Sequence, residues 1–167
     1  NHQDISKIYS DKKNDQQNYV PARLEINNLV DSSALKAKVR AKGDRELHWE
    51  DITSMSFRVN LKGIDRFEGL EEFSIQRPII RNYIWEYLTA EVFNKNNLLT
   101  LKTLPIKFNV NGDYRGIYSL EEVPSKITIE SQKRKNGPIS GLDEDVGSTI
   151  DSILDPYDAR DWQASDI

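Results

Sequence analysis

The stretch LPIKFNV, Asn111-Gly112, DYRGIYSLEE constrains the fold of this chain more than any other. Asn-Gly adopts the positive φ angles that a tight two-residue turn requires, so the flanking runs read as the two strands of an antiparallel hairpin. Upstream, YVPARLEI from Tyr19, LKAKVRAK from Leu35 and SFRVNLK from Ser56 alternate with period two between polar or Gly-containing stretches, and GLEEFSIQ adds a short strand. Pro78 suits the first turn of a helix, which the spacing predicts from Ile79 to Asn94 with NKNN as its stop. On that helix Ile79, Ile80, Tyr83, Ile84, Tyr87 and Leu88 predict a buried arc, with Glu91 near its middle and Glu86 at its edge. The expected fold class is α+β, an antiparallel β-sheet packed on one main helix.

The length of 167 residues suits one ordinary domain, and a hydrophobic fraction of 37% is enough for a core without disulfides or metals. The absence of Cys excludes disulfides, thiol nucleophiles and Cys-based zinc sites, and His2 and His48 alone cannot make a His-rich metal centre. No apolar run approaches the ~20 residues of a membrane helix. The opening NHQDISKIYS lacks both an initiator Met and the form of a signal peptide, so the chain reads as an excerpt of a longer product. Residues 1–18 are polar with little apolar periodicity, a short leading helix or arm where little function is expected. Charge divides the rest: residues 1–136 hold 22 Lys and Arg against 19 Asp and Glu, whereas 137–167 hold Arg160 against eight acids. The organisation is thus an arm (1–18), a slightly basic body (19–136) and an acidic C-terminal segment (137–167), which reads as solvated. Asp143 and Asp145 lie in that segment without the Gly-turned spacing of a calcium loop.

Chemistry-bearing patterns concentrate on two strands. Lys36, Lys38, Arg40 and Lys42 alternate with Leu35, Ala37, Val39 and Ala41, and Ser56, Arg58, Asn60 and Lys62 alternate with Phe57, Val59 and Leu61. Paired, these strands present a cationic face suited to a polyphosphate, with Arg offering a planar fork to phosphate oxygens. The same pattern also describes an ordinary solvated sheet face. The intervening GDRELHWEDITSM holds one Gly and no G-x-G-x-x-G, so a phosphate there would meet side chains. A Walker loop, a G-x-S-x-G elbow, H-E-x-x-H, H-R-D and D-F-G are all absent from the sequence. A sequence pI near 5.3 and no RNP-like aromatic motif argue against nucleic acid as partner.

Four stretches in order resemble the CotH family of atypical protein kinases: YVPARLEI, KVRAKGD with SFRVNLKG, FSIQRPIIRNYIWEYL, and FNVNGDYRGIYSLEE, spanning Tyr19 to Glu122. The last is the most specific, combining a tight turn, aromatics and a terminal acid pair; GPISGLDED is similar more loosely. The resemblance implies a kinase-like N-lobe in residues 19–136 that uses ATP and Mg2+ to phosphorylate Ser or Thr of a protein substrate. Such proteins are associated with spore coats, which implies a cell-surface or envelope location. Carried over by position, Arg40, Lys42 and Gly43 match the family's first basic strand, Ser56 and Arg58 its second, Arg81 and Asn82 its helix start, and Glu121 and Glu122 the end of its hairpin. Glu86 or Glu91 would take the part of the kinase helix Glu that pairs with a nucleotide-contacting Lys. Members often carry Lys shortly before the Ser of the second strand, where Thr53, Ser54 and Met55 stand here. The family places its metal-binding and base carboxylates in a C-lobe beyond this stretch, so the resemblance implies a fragment that is inactive alone. The alternative expectation is a noncatalytic surface or envelope module that binds a protein or glycan.

Overall fold

The computed structural model describes residues 2–14, 16–26, 34–43, 45–63, 66–135, 137, 140–142 and 154–156. Helix α1 (His2–Lys13) precedes β1 (Val20–Leu24), β2 (Leu35–Ala41), β3 (Phe57–Leu61) and β4 (Glu72–Gln76). Then come a 3-10 turn (Pro78–Arg81), α2 (Trp85–Lys95), β5 (Thr103–Val110), β6 (Asp113–Glu122) and α3 (Lys126–Ser131). Strands β7 (Ser140–Leu142) and β8 (Leu154–Pro156) form a separate antiparallel pair. The acidic segment is described only at residue 137 and in these two strands; Asp143 and Asp145 lie outside the described residues.

The fold is α+β, with six antiparallel strands in the order β1-β2-β3-β4-β6-β5. Asn111 and Gly112 have φ of 53° and 92°, the two positive angles expected of the β5–β6 turn. Both edges carry devices that discourage further pairing: Pro21 on β1, and Pro105 and Lys107 on β5. One face of the sheet is apolar, with Ala37, Val59, Phe73, Ile75 and Leu120 all buried to 2% exposure or less. Phe57 on β3 and Phe108 on β5 stand three strands apart, about 14 Å in a flat sheet. Their rings lie 5.8 Å apart, so the sheet curls around its apolar face.

The helix on that face is α1, which lies against β2. The small side chains Ala37 and Ala41 let it approach, and Ile5, Ile8 and Tyr9 join the core, Ile8 at 2% exposure. This position corrects the expectation of one main helix over Ile79–Asn94. Asn82 and Tyr83 adopt φ of 50° and 64°, which stops the 3-10 turn and prevents a continuous helix from Pro78. Asn tolerates the left-handed region, but an aromatic residue there is strained. The helix that restarts at Trp85 turns Glu86, Tyr87, Ala90 and Glu91 inward. Of the arc expected to be buried, Ile79, Tyr83, Ile84 and Leu88 are instead exposed, while Ile80 and Tyr87 are half-buried.

Candidate functional site

The second face of the sheet is polar, and its register assembles the site. Arg40 is the Cα partner of Arg58, Arg58 of Ser74, Ser74 of Glu121, and Glu121 of Thr103. One row of polar side chains therefore crosses five strands. Beside it Pro21 pairs with Lys38, Arg23 with Lys36, Lys38 with Asn60, and Asn60 with Glu72. Because β side chains alternate in direction, Arg23, Lys36, Lys38, Arg40, Lys42 and Arg58 share this face, and Glu72 and Glu121 are the acids among these strands that share it.

Two charge groupings organise the face. The Arg40 guanidinium lies 5.4 Å from the Tyr19 ring centre and donates through Nη1 to the carbonyl of Ala41 at 3.0 Å. The Arg58 Nη1 stands 3.5 Å from Glu72 Oε1, which the Tyr19 hydroxyl also approaches at 3.5 Å. Arg58 Nε is buried and finds no hydrogen-bond partner among the described residues. Like charges directly opposite on neighbouring strands repel, and one half-exposed carboxylate does not balance two guanidinium groups, so this end has a surplus of positive charge. In the second grouping Lys42 Nζ donates to Glu121 Oε2 at 3.0 Å, with the side chains 15% and 8% exposed. Removing either partner from so sheltered a pair would leave a costly charge behind.

Between the groupings the face is buried and polar. Ser56, Ser74 and Gln76 are 0–1% exposed. The Ser56 hydroxyl accepts the Arg77 amide at 3.1 Å, whereas neither polar atom of the Gln76 amide has a partner among the described residues.

The remaining expected site residues fall elsewhere. Glu122, one position beyond Glu121, points to the opposite face, where Oε2 accepts the Lys102 amide at 2.9 Å and Oε1 accepts the Thr128 hydroxyl at 2.7 Å. Those bonds tie the end of β6 to the approach of β5 and to the capping box of α3, in which the Ser125 amide donates to Thr128 Oγ1. Glu86 is half-buried on the inner side of α2. Arg81 ends the 3-10 turn, and its side chain lies outside the described residues. Sequence reading missed Tyr19, Arg23 and Gln76. Alternation in YVPARL already sets Tyr19, Pro21 and Arg23 on one face, and alternation in EFSIQ does the same for Ser74 and Gln76.

The loop joining β2 to β3 flanks the site. Gly43 has φ of +87°, and a Cβ there would come within 2.2 Å of the His48 ring, so the close turn into this loop requires Gly. Asp51 accepts the Thr53 amide and hydroxyl, each at 2.8 Å, and the Ser54 hydroxyl at 2.9 Å. These bonds, the Thr53 amide foremost, hold its carboxyl below the usual range, with the Arg77 charge assisting. A hollow of about 250 Å³ opens at another place, between Leu70, Asn94, Lys102, Glu122, Ile127 and Gln132, and none of Arg40, Lys42 and Arg58 lines it.

No group of three or more His, Asp or Glu side chains among the described residues is placed to hold a metal ion. No helix among them is long and apolar enough to cross a membrane. In comparisons with known proteins, no family model and no curated protein matches this chain.

Proposed function

We propose that the polar face is the phosphate-holding surface of a nucleotide-binding lobe similar to that of CotH-type atypical protein kinases. In this reading ATP with Mg2+ is the cofactor and the Ser or Thr side chains of partner proteins are the acceptors. The observation that carries the reading is the register of Arg40 opposite Arg58, two partly sheltered guanidinium groups of which Arg58 has Glu72 beside it and a buried Nε with no partner among the described residues. Polyphosphate oxygens supply the missing negative charge and accept from planar guanidinium forks. The curled antiparallel sheet, with one helix inserted between β4 and β5, is compatible with a kinase small lobe, and the Lys42–Glu121 pair stiffens the strand ends beside the site. The donor set fits phosphate. It does not offer a ready-made metal cage, so no step is assigned to Mg2+ here, and the chain by itself is proposed to be inactive because transfer needs metal-bound carboxylates and an oriented acceptor.

Calorimetric titration of the whole chain with ATP and with inorganic tripolyphosphate tests the reading. Binding in the range of about 0.1–1 mM is expected, and Arg40→Gln with Arg58→Gln should weaken it at least about tenfold while Arg58→Lys weakens it less. Failure of both anions to bind would remove the phosphate role. A radiolabelled transfer assay on the same sample should give no incorporation; metal-dependent incorporation would place catalytic carboxylates inside this chain.

One observation favours a second reading, a noncatalytic surface or envelope module for a protein or glycan. Where CotH-type proteins often carry Lys, shortly before Ser56, the chain has Thr53, Ser54 and Met55, and Met55 is 1% exposed within the core. A module of this kind would leave both anions unbound in the titration.

A further inference from the structure

The hollow beside α3 holds a carboxylate that the phosphate reading does not use. One side of it is the turn between the paired Phe67 and Leu70, where Glu68 and Gly69 have φ of 53° and 83°; the approach to β5 and α3 form others. Gln132 ties the last two together, because its Nε2 donates to the carbonyls of Thr100 at 2.6 Å and Thr128 at 3.1 Å while its Oε1 accepts the Thr100 amide at 3.1 Å. About 250 Å³ is held open in this way, just below the ~300–1,000 Å³ of ordinary small-molecule sites. Glu122 lines the hollow at 5% exposure, and its two oxygens accept from neutral groups, the Lys102 amide and the Thr128 hydroxyl. The Lys102 ammonium is committed to Glu68, donating to its carbonyl at 2.9 Å and to Oε2 at 2.8 Å. Among the described residues no cation pairs with Glu122. Its hydrogen bonds hold the carboxylate in place without cancelling its charge, and a sheltered charge is ordinarily paired.

We infer that this hollow binds a small primary ammonium carried on a short apolar chain, with the charge on Glu122 and the chain along Leu70, Leu101 and Ile127. Three features select that chemistry. A carboxylate offers roughly four lone-pair sites, and the Lys102 amide and the Thr128 hydroxyl take one each, so Glu122 keeps room for further donors. The Ser131 hydroxyl gives its hydrogen to the Thr128 carbonyl at 3.2 Å, and both hydrogens of the Gln132 amide are bound, so Ser131 adds a second acceptor and Gln132 no competing donor. Separate single-oxygen acceptors suit the compact, rotatable donors of an ammonium better than a planar guanidinium fork. A metal ion would ask for ~six or more oxygen ligands, and no group of three or more His, Asp or Glu among the described residues is placed to supply them. The apolar side is equally specific: Leu70 is 6% exposed, and Ile127, at 47%, leaves the wall on α3 open to solvent. The inference does not depend on the phosphate reading, because Glu122 points to the opposite face of the sheet from Arg40 and Arg58.

An NMR titration of the full chain with n-butylammonium chloride tests it, with potassium chloride and butan-1-ol as the matched salt and the matched uncharged chain. The Lys102 and Thr128 amides should shift with a dissociation constant of about 0.5–5 mM for butylammonium, and neither control should reproduce those shifts up to about 50 mM. Glu122→Gln should weaken binding at least about tenfold, since it removes the charge. That variant also disturbs the bonds to Lys102 and Thr128, so Ile127→Lys is the companion: it sets a cation at an exposed position on the wall, leaves those bonds intact, and should weaken binding by a similar factor of about ten. If Glu122→Gln does not fold, Ile127→Lys decides. The inference is overturned if butylammonium causes no shift by about 50 mM, if butan-1-ol or potassium chloride causes the same shifts, or if binding survives either folded variant unchanged. Loss of tripolyphosphate binding would leave these results untouched, so the two proposals fail separately.

Discussion

Helices α1 and α2 invert the usual relation between composition and burial. HQDISKIYSDKK is largely polar, yet Ile8 is 2% and Lys12 5% exposed; WEYLTAEVFNK is far more apolar, yet Ala90 is the buried residue described on it. The difference lies in what each helix meets. Helix α1 settles on the small residues of β2 and is held from the other side by the β2–β3 loop, where the Tyr9 hydroxyl reaches the Glu50 carbonyl at 3.4 Å and the Lys12 ammonium stands 6.0 Å from the Trp49 ring. Helix α2 follows two left-handed residues and lies against the edge strand β5, so much of its apolar side has nothing opposite it. Burial is a property of the place a helix reaches, and amphipathicity states only which side would be buried if a partner arrives.

The largest effect that tests this contrast is a pair of truncations. Ile8→Ala should cost about 2–4 kcal/mol in urea unfolding, because it removes packed methylenes from a site that cannot refill. Leu88→Ala, at a side chain that is 40% exposed, should stay within about 0.5 kcal/mol. Equal costs would mean that α2 is as well packed as α1. A smaller effect sharpens the role of the loop that holds α1. Gly43→Ala must place a Cβ against His48 at positive φ, which should destabilise by about 1–3 kcal/mol. Amide exchange should then quicken in α1 and leave α2 as it was; the reverse order would show that α1 does not depend on the loop.

The hairpin and the alternating strands were legible because both signals are local: Asn-Gly dictates its own φ angles, and period two needs no partner. The same rule, applied strictly, separates Glu121 from Glu122, since neighbours on a strand point to opposite faces; treating them as one acid pair overlooked it. Arg40 and Arg58 could be put on like faces from sequence. Their direct opposition could not, because register depends on how the intervening loop closes. Helix α1 had a readable stripe in Ile5, Ile8, Tyr9 and Lys12, diluted by the polar residues around it. The break at Asn82 and Tyr83 had no such signal beyond Asn itself, and that break is what turned the expected buried arc outward.

The last and smallest expected effect isolates the loop from the helix it supports. Asp51 is a nearly exposed carboxylate whose bonds stay within its own turn, where the Ser54 amide also donates to the Asp51 carbonyl at 3.0 Å. Its folded-state pKa lies below the ordinary 3.8, with the Thr53 amide as the first cause. A depressed carboxyl contributes stability that is present above the unfolded value and is lost as pH falls through the folded one. The turn should therefore keep its order at pH 5 and loosen only well into acid. Followed by NMR, the Thr53 amide should shift with a midpoint below 3.8, and Asp51→Ala should abolish that titration. The Arg115 guanidinium, which donates to the Thr53 carbonyl at 3.0 Å, links the turn to β6, so the Arg115 side-chain signals should follow the same midpoint. Ile8 and Leu88 should not respond over this step, because neither touches the turn through a charge. A midpoint at or above 3.8 would mean that the Thr53 and Ser54 bonds do not hold the carboxylate, and a shift at Ile8 with the same midpoint would show that this turn, and not packing on Ala37 and Ala41, is what keeps α1 in place.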